Sequence, residues 1–197
     1  MRLFLPYSTR SELSMPEFYD VGVRFWEENL ESYANKLGFK GICCFSQGGN
    51  GVEIVGKTPS DLKFKKTGVI LFSSDKPELL RKACRKDVDL LFFPKFIPDV
   101  ALIRAAAESK KPFEIPVSLL LKRKGVERGL LISRIGFFIK VCEKLSADFV
   151  ITSGASSKLL MKSPAELVAI GEMLGLSHDK AVSSISIIPE HVLERVR

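Results

Sequence analysis

Short runs of β-branched and aromatic residues alternate along the chain with longer stretches in which apolar positions recur every three or four residues. The short runs fall at 18–21, 41–45, 68–72, 89–93, 113–117 and 148–152, each close to apolar throughout, as expected of strands buried on both faces of a parallel sheet. Between them, 25–37, 77–86, 99–109 and 127–145 have helical periodicity; in the last, Leu130, Leu131, Ile135, Phe138 and Cys142 mark the expected inner face. Strand-helix units of about 25 residues imply right-handed βαβ connections and an α/β fold. Residues 51–56 fit an extra strand or a mobile loop, because the approach to them is rich in glycine.

After the last strand the chain reads as helical. Ser163-Pro164-Ala165-Glu166 is a capping box with Pro at the first helical position, so a helix runs from there through Leu167, Ile170 and Leu174 to Gly175. Ser177 caps a second helix over 178–185, and Pro189 opens a third that ends at Arg197. No linker or repeat divides the 197 residues, which predicts a single domain over 1–197 with a helical C-terminus. A closed (β/α) barrel suits the alternation better than an open sheet. Since such barrels take about 250 residues, this one must be trimmed.

Charge adds a regional feature. The net charge is +7, yet residues 57–144 hold 20 basic and 10 acidic side chains while the flanks together are slightly acidic. Concentrated basic surface is what a polyanion binder presents, although a solvated basic face looks the same. The densest cluster is Lys122, Arg123 and Lys124, then Arg128 and Arg134, with Gly125 marking a loop; a second, Arg81, Lys82, Arg85 and Lys86, lies at helical neighbour spacings. No apolar run exceeds about five residues, against about 20 for a membrane span. The start has a lone Arg2 and a short apolar stretch broken by Pro6, unlike a secretory signal, so a cytoplasmic location is expected. The four cysteines show no C-x-x-C spacing and read as buried thiols.

Catalytic chemistry is sparse. Asp20, Asp75 and Glu114 are the acids near strand ends, and for each the favoured role is an N-cap or a loop-bonded carboxylate rather than an inward-facing acid. His178 and His191 lie in the terminal helices, so a barrel metal centre lacks its ligands, and the segment around Ser153 has no G-x-S-x-G elbow. That segment leaves a strand with small residues and hydroxyls, followed by Lys158 and Lys162, a composition that lets a backbone and two cations meet phosphate. The alternative is a turn that needs small residues only for packing.

The runs at 148–155 and 162–167, Leu174-Gly175-Leu176-Ser177, Ala181-Val182 and 188–193 together resemble the C-terminal signature of archaeal ribonuclease P protein component 3, the family of the eukaryotic 30-kilodalton ribonuclease P and MRP subunit. Phe18-Tyr19-Asp20, 88–91 and Phe113-Glu114-Ile115 agree in order, and the likeness is weakest before residue 85. It implies a trimmed TIM-like barrel related to the polymerase and histidinol phosphatase superfamily but without its metal ligands. The implied role is that of a protein subunit assisting an RNA that removes the 5′ leader from precursor tRNA. The implied partners are ribonuclease P RNA, component 2, other ribonuclease P proteins and, through the complex, precursor tRNA, with no membrane. No cofactor is expected on this chain, Mg²⁺ being used by the RNA. Lys122, Arg123, Lys124, Arg128, Arg134, Ser153, Lys158 and Lys162 are the expected RNA contacts. Where the family commonly has Arg two residues before the conserved Pro, this chain has Lys162, which keeps a phosphate contact but loses bidentate geometry. The competing functions are a small metal-dependent phosphoesterase of the same superfamily and a nonspecific RNA-binding protein.

Overall fold

A computed structural model describes residues 16–194; the N-terminal stretch read for a secretory signal and the final three residues, expected to be helical, lie outside them. In chain order the elements are β1 (Phe18–Val23), α1 (Leu30–Leu37), β2 (Phe39–Cys44), β3 (Gly51–Val55), β4 (Val69–Ser73), α2 (Pro77–Ala83), β5 (Leu90–Phe92), α3 (Val100–Ser109), β6 (Phe113–Pro116), α4 (Ser118–Leu121), α5 (Gly125–Lys144), β7 (Phe149–Thr152), α6 (Pro164–Met173), α7 (His178–Ser183) and α8 (Ile187–Glu194). All six expected strands are present, and residues 51–55 are a seventh because their backbone pairs with β4 from Gly51 opposite Val69 to Val55 opposite Ser73.

The strands form a parallel pair, β1-β2, and a parallel five-stranded sheet in the order β3-β4-β5-β6-β7. The two meet along two seams, and together they make the trimmed barrel expected from the sequence. At one seam the Asn50 side chain accepts from the Cys44 amide at 2.9 Å and donates to the Ile42 carbonyl at 3.2 Å, fastening β2 to the start of β3. At the other the Ser153 amide donates to Asp20 Oδ1 at 3.1 Å, and the Arg24 amide to the Ala155 carbonyl at 2.8 Å.

Period-two alternation sorts the strand residues. Val69 and Leu71 of β4 turn inward to Tyr19, Val21, Leu90 and Val150, whereas Ile70 and Phe72 turn outward to the helices. Val192 of α8 joins the inner cluster at the amino end of β1, where the Tyr19 hydroxyl donates to Glu190 at 2.9 Å. Outside, Phe138 of α5 packs edge-on to Phe113 and Phe96, with ring centroids 5.2 and 5.7 Å away.

The ends of the helices show where side chains compete with periodicity. α6 begins as expected, the Ser163 hydroxyl and the Glu166 carboxylate each satisfying an amide of the other residue. α1 starts at Leu30 rather than 25, since Arg24 is held at the barrel mouth by the Ala155 carbonyl and residues 27–30 form a turn closed by the Leu30 amide on the Glu27 carbonyl. α5 starts at Gly125 itself, whose φ of +52° suits glycine, so the basic loop is confined to 122–124. Leu130, expected in the core, is 62% exposed. α8 begins at Ile187, so Pro189 sits inside its first turn, where its missing amide costs nothing.

Gly22 and Gly129 make a paired test of packing. A Cβ at Gly22 would meet Thr152 and lie 2.6 Å from the Glu114 carboxylate, while one at Gly129 meets nothing within 4 Å. Gly22→Ala is expected to destabilise the protein by about 1–3 kcal/mol. Gly129→Ala, in an exposed helix interior, should stabilise it by about 0.5–1 kcal/mol. Denaturant midpoints check both, and a neutral Gly22→Ala would contradict the close approach of β1 to β7.

Candidate functional site

Alternation on β6 points Phe113 and Ile115 outward and therefore sends Glu114 into the barrel, where it is fully buried. A carboxylate there without a partner would cost several kcal/mol in lost hydration. Arg24, just past the end of β1, supplies the partner: its Nη1 and Nη2 each donate to one Glu114 oxygen at 2.5 Å in a bidentate fork. The same guanidinium donates to the Gly22 carbonyl at 2.6 Å, has its Nε 3.4 Å from Glu53, and lies over the Phe45 ring at 5.4 Å. Thr152 Oγ1 donates to Glu114 at 2.8 Å. Burial alone would lower the Arg24 pKa, but the adjacent Glu114 charge overrides it and holds the guanidinium above its usual range. Burial pushes Glu53 above the ordinary carboxylate range.

Asp20 is the second buried acid. Its Oδ1 accepts from the amides of Gly22 and Ser153, while its Oδ2 is buried with no hydrogen-bond partner. Burial raises its pKa to about 6. A bulge in the β1–β2 register after Asp20 re-aims the strand, so that Gly22 faces Thr152 and Glu114. The capping or loop role expected for Glu114 is thus corrected: it faces inward, because alternation on β6 rather than a helix start sets its direction. Asp20, between the inward Tyr19 and Val21, is a buried carboxylate bonded to the amide of Ser153 in the loop after β7, the loop-bonded role expected of it. Asp75 does lie in an exposed loop, 3.5 Å from Lys95. Among the described residues no group of three His, Cys, Asp or Glu could hold a metal ion. The four cysteines are free and buried.

The expected RNA contacts divide. Lys122, Arg123, Lys124 and Arg128 are exposed at the turn from α4 into α5, where Arg123 donates to the Leu119 carbonyl and Arg128 to the Arg123 carbonyl at 2.7 Å, ordering the loop. Lys158 and Lys162 leave the adjoining strand end, since β6 and β7 pair and the Ser118 amide donates to the Ser153 carbonyl. Both are half-buried and already paired, Lys158 with Glu27 at 2.6 Å and Lys162 with Glu166 at 3.4 Å. Arg134 is exposed but stands about 15 Å along α5 from the loop. Ser153 is the correction: it is fully buried, its hydroxyl accepts the Ala155 amide at 3.1 Å, and it faces no solvent from which RNA could reach it. The second basic patch borders a groove between α2 and α3 that also holds Glu78 and Glu108. Sequence reasoning missed Arg24, whose only signal was a cation directly after a strand, and the 52% exposed Trp26 beside it.

Two outcomes follow from the interior charges. Above about pH 6 the folded chain holds a buried Asp20 charge that the unfolded chain keeps in water; as pH falls toward 4 the folded form binds the proton first. Asp20 should therefore make the protein about 2 kcal/mol more stable at pH 4.5 than at pH 7.5. Comparing unfolding of wild type and Asp20→Asn at both pH values isolates this, because the variant loses the difference. Arg24→Met strands the Glu114 charge and is expected to cost about 3–5 kcal/mol. Adding Glu114→Gln should recover much of that, and equal losses in single and double variants would contradict the pairing.

Comparison with known proteins places this architecture. Residues 49–197 match the family described as RNase P subunit p30. Ribonuclease P protein component 3 of Methanosarcina barkeri is 27% identical over 220 residues, spanning 94% of this chain and 92% of the relative. The component 3 of Archaeoglobus fulgidus is 28% identical over 171 residues, 83% of each chain. Among solved structures, a chain in a cryo-EM structure of archaeal ribonuclease P with mature tRNA superposes with a TM-score of 0.67 at 23% identity, covering 93% of this chain and 83% of that one. An amidohydrolase superposes at 0.55 with 11% identity, covering 83% of this chain and 45% of its own, a likeness of fold. With three quarters of its length inside one family match and a barrel of the same architecture, the chain belongs to the RNase P subunit p30 family.

Proposed function

We propose that this chain assists the RNA-catalysed removal of the 5′ leader from precursor tRNA, with ribonuclease P RNA, component 2 and other ribonuclease P proteins as partners and precursor tRNA met through the complex. Family membership supports the setting. The assisting role rests on one observation: at the carboxyl end of the strands, where barrel enzymes keep their reacting groups, Arg24 fills the interior and engages Glu114 with both nitrogens of its fork. A carboxylate so engaged is not free to hold a metal, and we assign Mg²⁺ to the RNA. No helix among the described residues is long and apolar enough to cross a membrane, and the cytoplasm is the compartment we assign.

The RNA-facing surface is the turn carrying Lys122, Arg123, Lys124 and Arg128, with Lys158 and Lys162 at its border. These side chains neutralise phosphates and release counterions, which favours the folded, active RNA over its alternatives. Trp26, exposed at the same end of the barrel, offers a ring face on which a base can stack.

The test is reconstitution of the ribonucleoprotein on precursor tRNA at modest Mg²⁺, with and without this chain. Addition of the chain should raise cleavage. Replacing Lys122, Arg123 and Lys124 by Ala should weaken RNA-dependent assembly and flatten the log-log salt slope by about two units. A folded triple variant with unchanged affinity and slope would remove this loop from the RNA surface.

A further inference from the structure

Helix α5 has two apolar faces. One packs Leu131, Ile135, Phe138, Ile139 and Cys142 onto the sheet. At about 100° per residue, Val126, Leu130 and Phe137 fall within about 40° of one another on the opposite side. They are 79%, 62% and 60% exposed. Single exposed apolar residues are ordinary on a protein surface; a row of them at helical spacing, turned away from the core-facing row, is the pattern of a helix packed on both sides. Toward the carboxyl end of α5, Phe137 stands in a shallow notch with Val100 of α3, Val141 and Leu145, and the notch is rimmed by Arg104, Lys140 and Lys144. Those three cations are exposed, and among the described residues none is within ion-pair distance of an acid.

The composition of this face selects its occupant. RNA would satisfy the rim cations but would leave Val126, Leu130, Phe137 and the notch without apolar partners. A second copy of the chain would bring Arg104, Lys140 and Lys144 against the same charges, and like charges across an interface are repulsive. An amphipathic helix with carboxylates flanking its apolar face meets both requirements, its side chains interleaving with the row and its acids reaching the rim. We propose that the outer face of α5, with the Val100 notch, is the docking site for such a helix of a protein subunit, separate from the loop at 122–124 assigned to RNA. The proposal rests on the ribonuclease P reading and adds to it which face takes protein.

The experiment titrates the full chain, without RNA, against component 2 and then the other ribonuclease P proteins, one at a time. At least one should bind wild type. Leu130→Ser combined with Phe137→Ser should weaken that binding about 30-fold or more, the loss expected when a buried anchor is removed. Lys140→Glu with Lys144→Glu should weaken it and reduce its salt dependence, whereas the Lys122, Arg123 and Lys124 alanine variant should bind like wild type. The thermal midpoint of the free chain should fall only slightly in the serine variant, through the lower helix propensity of Ser and the partial burial lost, because both side chains are mostly exposed before docking. Unchanged binding by the serine variant overturns the proposal. A marked fall in the midpoint does so too, by showing that the row is covered within the chain itself. Self-association of wild type that the serine variant loses would assign the face to a second copy. Loss of RNA affinity at unchanged protein binding would assign it to RNA. If wild type binds no subunit and leaves cleavage unchanged, the functional reading fails along with this one; if wild type stimulates cleavage and binds, only the docking face is at stake.

Discussion

Placing the Glu114 carboxylate between Phe113 and Ile115, on the inward side of β6, obliges the fold to provide a cation that water would otherwise supply. Arg24 provides it from the end of β1, the strand on the far side of β7. The chain between β1 and α1 is committed to that contact, α1 starts late, and Gly22 has no room for a side chain because Thr152 and Glu114 occupy the space. The barrel mouth is in this sense a packed electrostatic core, in which the fork of one arginine takes the place of the solvent or ion that an open site admits. Enzymes of similar architecture keep that volume for reactants.

Fold was legible in the chain to a degree that site was not, for a physical reason. The six expected strands and the capping box at Ser163 are encoded locally, by runs of apolar residues and by a side chain three residues from its partner. The interior cluster joins Arg24 to Glu114 across 90 positions and Asp20 to Ser153 across 133, and nothing local marks such pairs. Ser153 illustrates the converse. Its small, hydroxyl-rich surroundings suit a phosphate loop and a tight interior turn equally well, and only its burial tells the two apart. Leu130 misled for a related reason: α5 is apolar on two sides, so its periodicity does not say which side meets the sheet.

The basic excess of residues 57–144 also changes meaning once placed in space. Part of it lies at the α4–α5 turn beside the end of β7, part in the groove between α2 and α3 beside Glu78 and Glu108, and part around the apolar notch near Phe137. A single number for net charge conceals three surfaces of different chemistry. The first is suited to phosphate, the second is partly neutralised by its own acids, and the third combines cations with an apolar floor.

The two seams have a further consequence for how this barrel tolerates change. Within each sheet, neighbouring strands are held by amide-to-carbonyl ladders that depend little on side-chain identity. At the seams much of the fastening passes through side chains, Asn50 on one side and Asp20 with the Arg24–Glu114 pair on the other. Closure of the ring therefore depends on residue identity there more than elsewhere, beside the backbone bond from Arg24 to Ala155. Drift in sequence that the five-stranded sheet absorbs without loss can, at these few positions, separate a closed barrel from an open one.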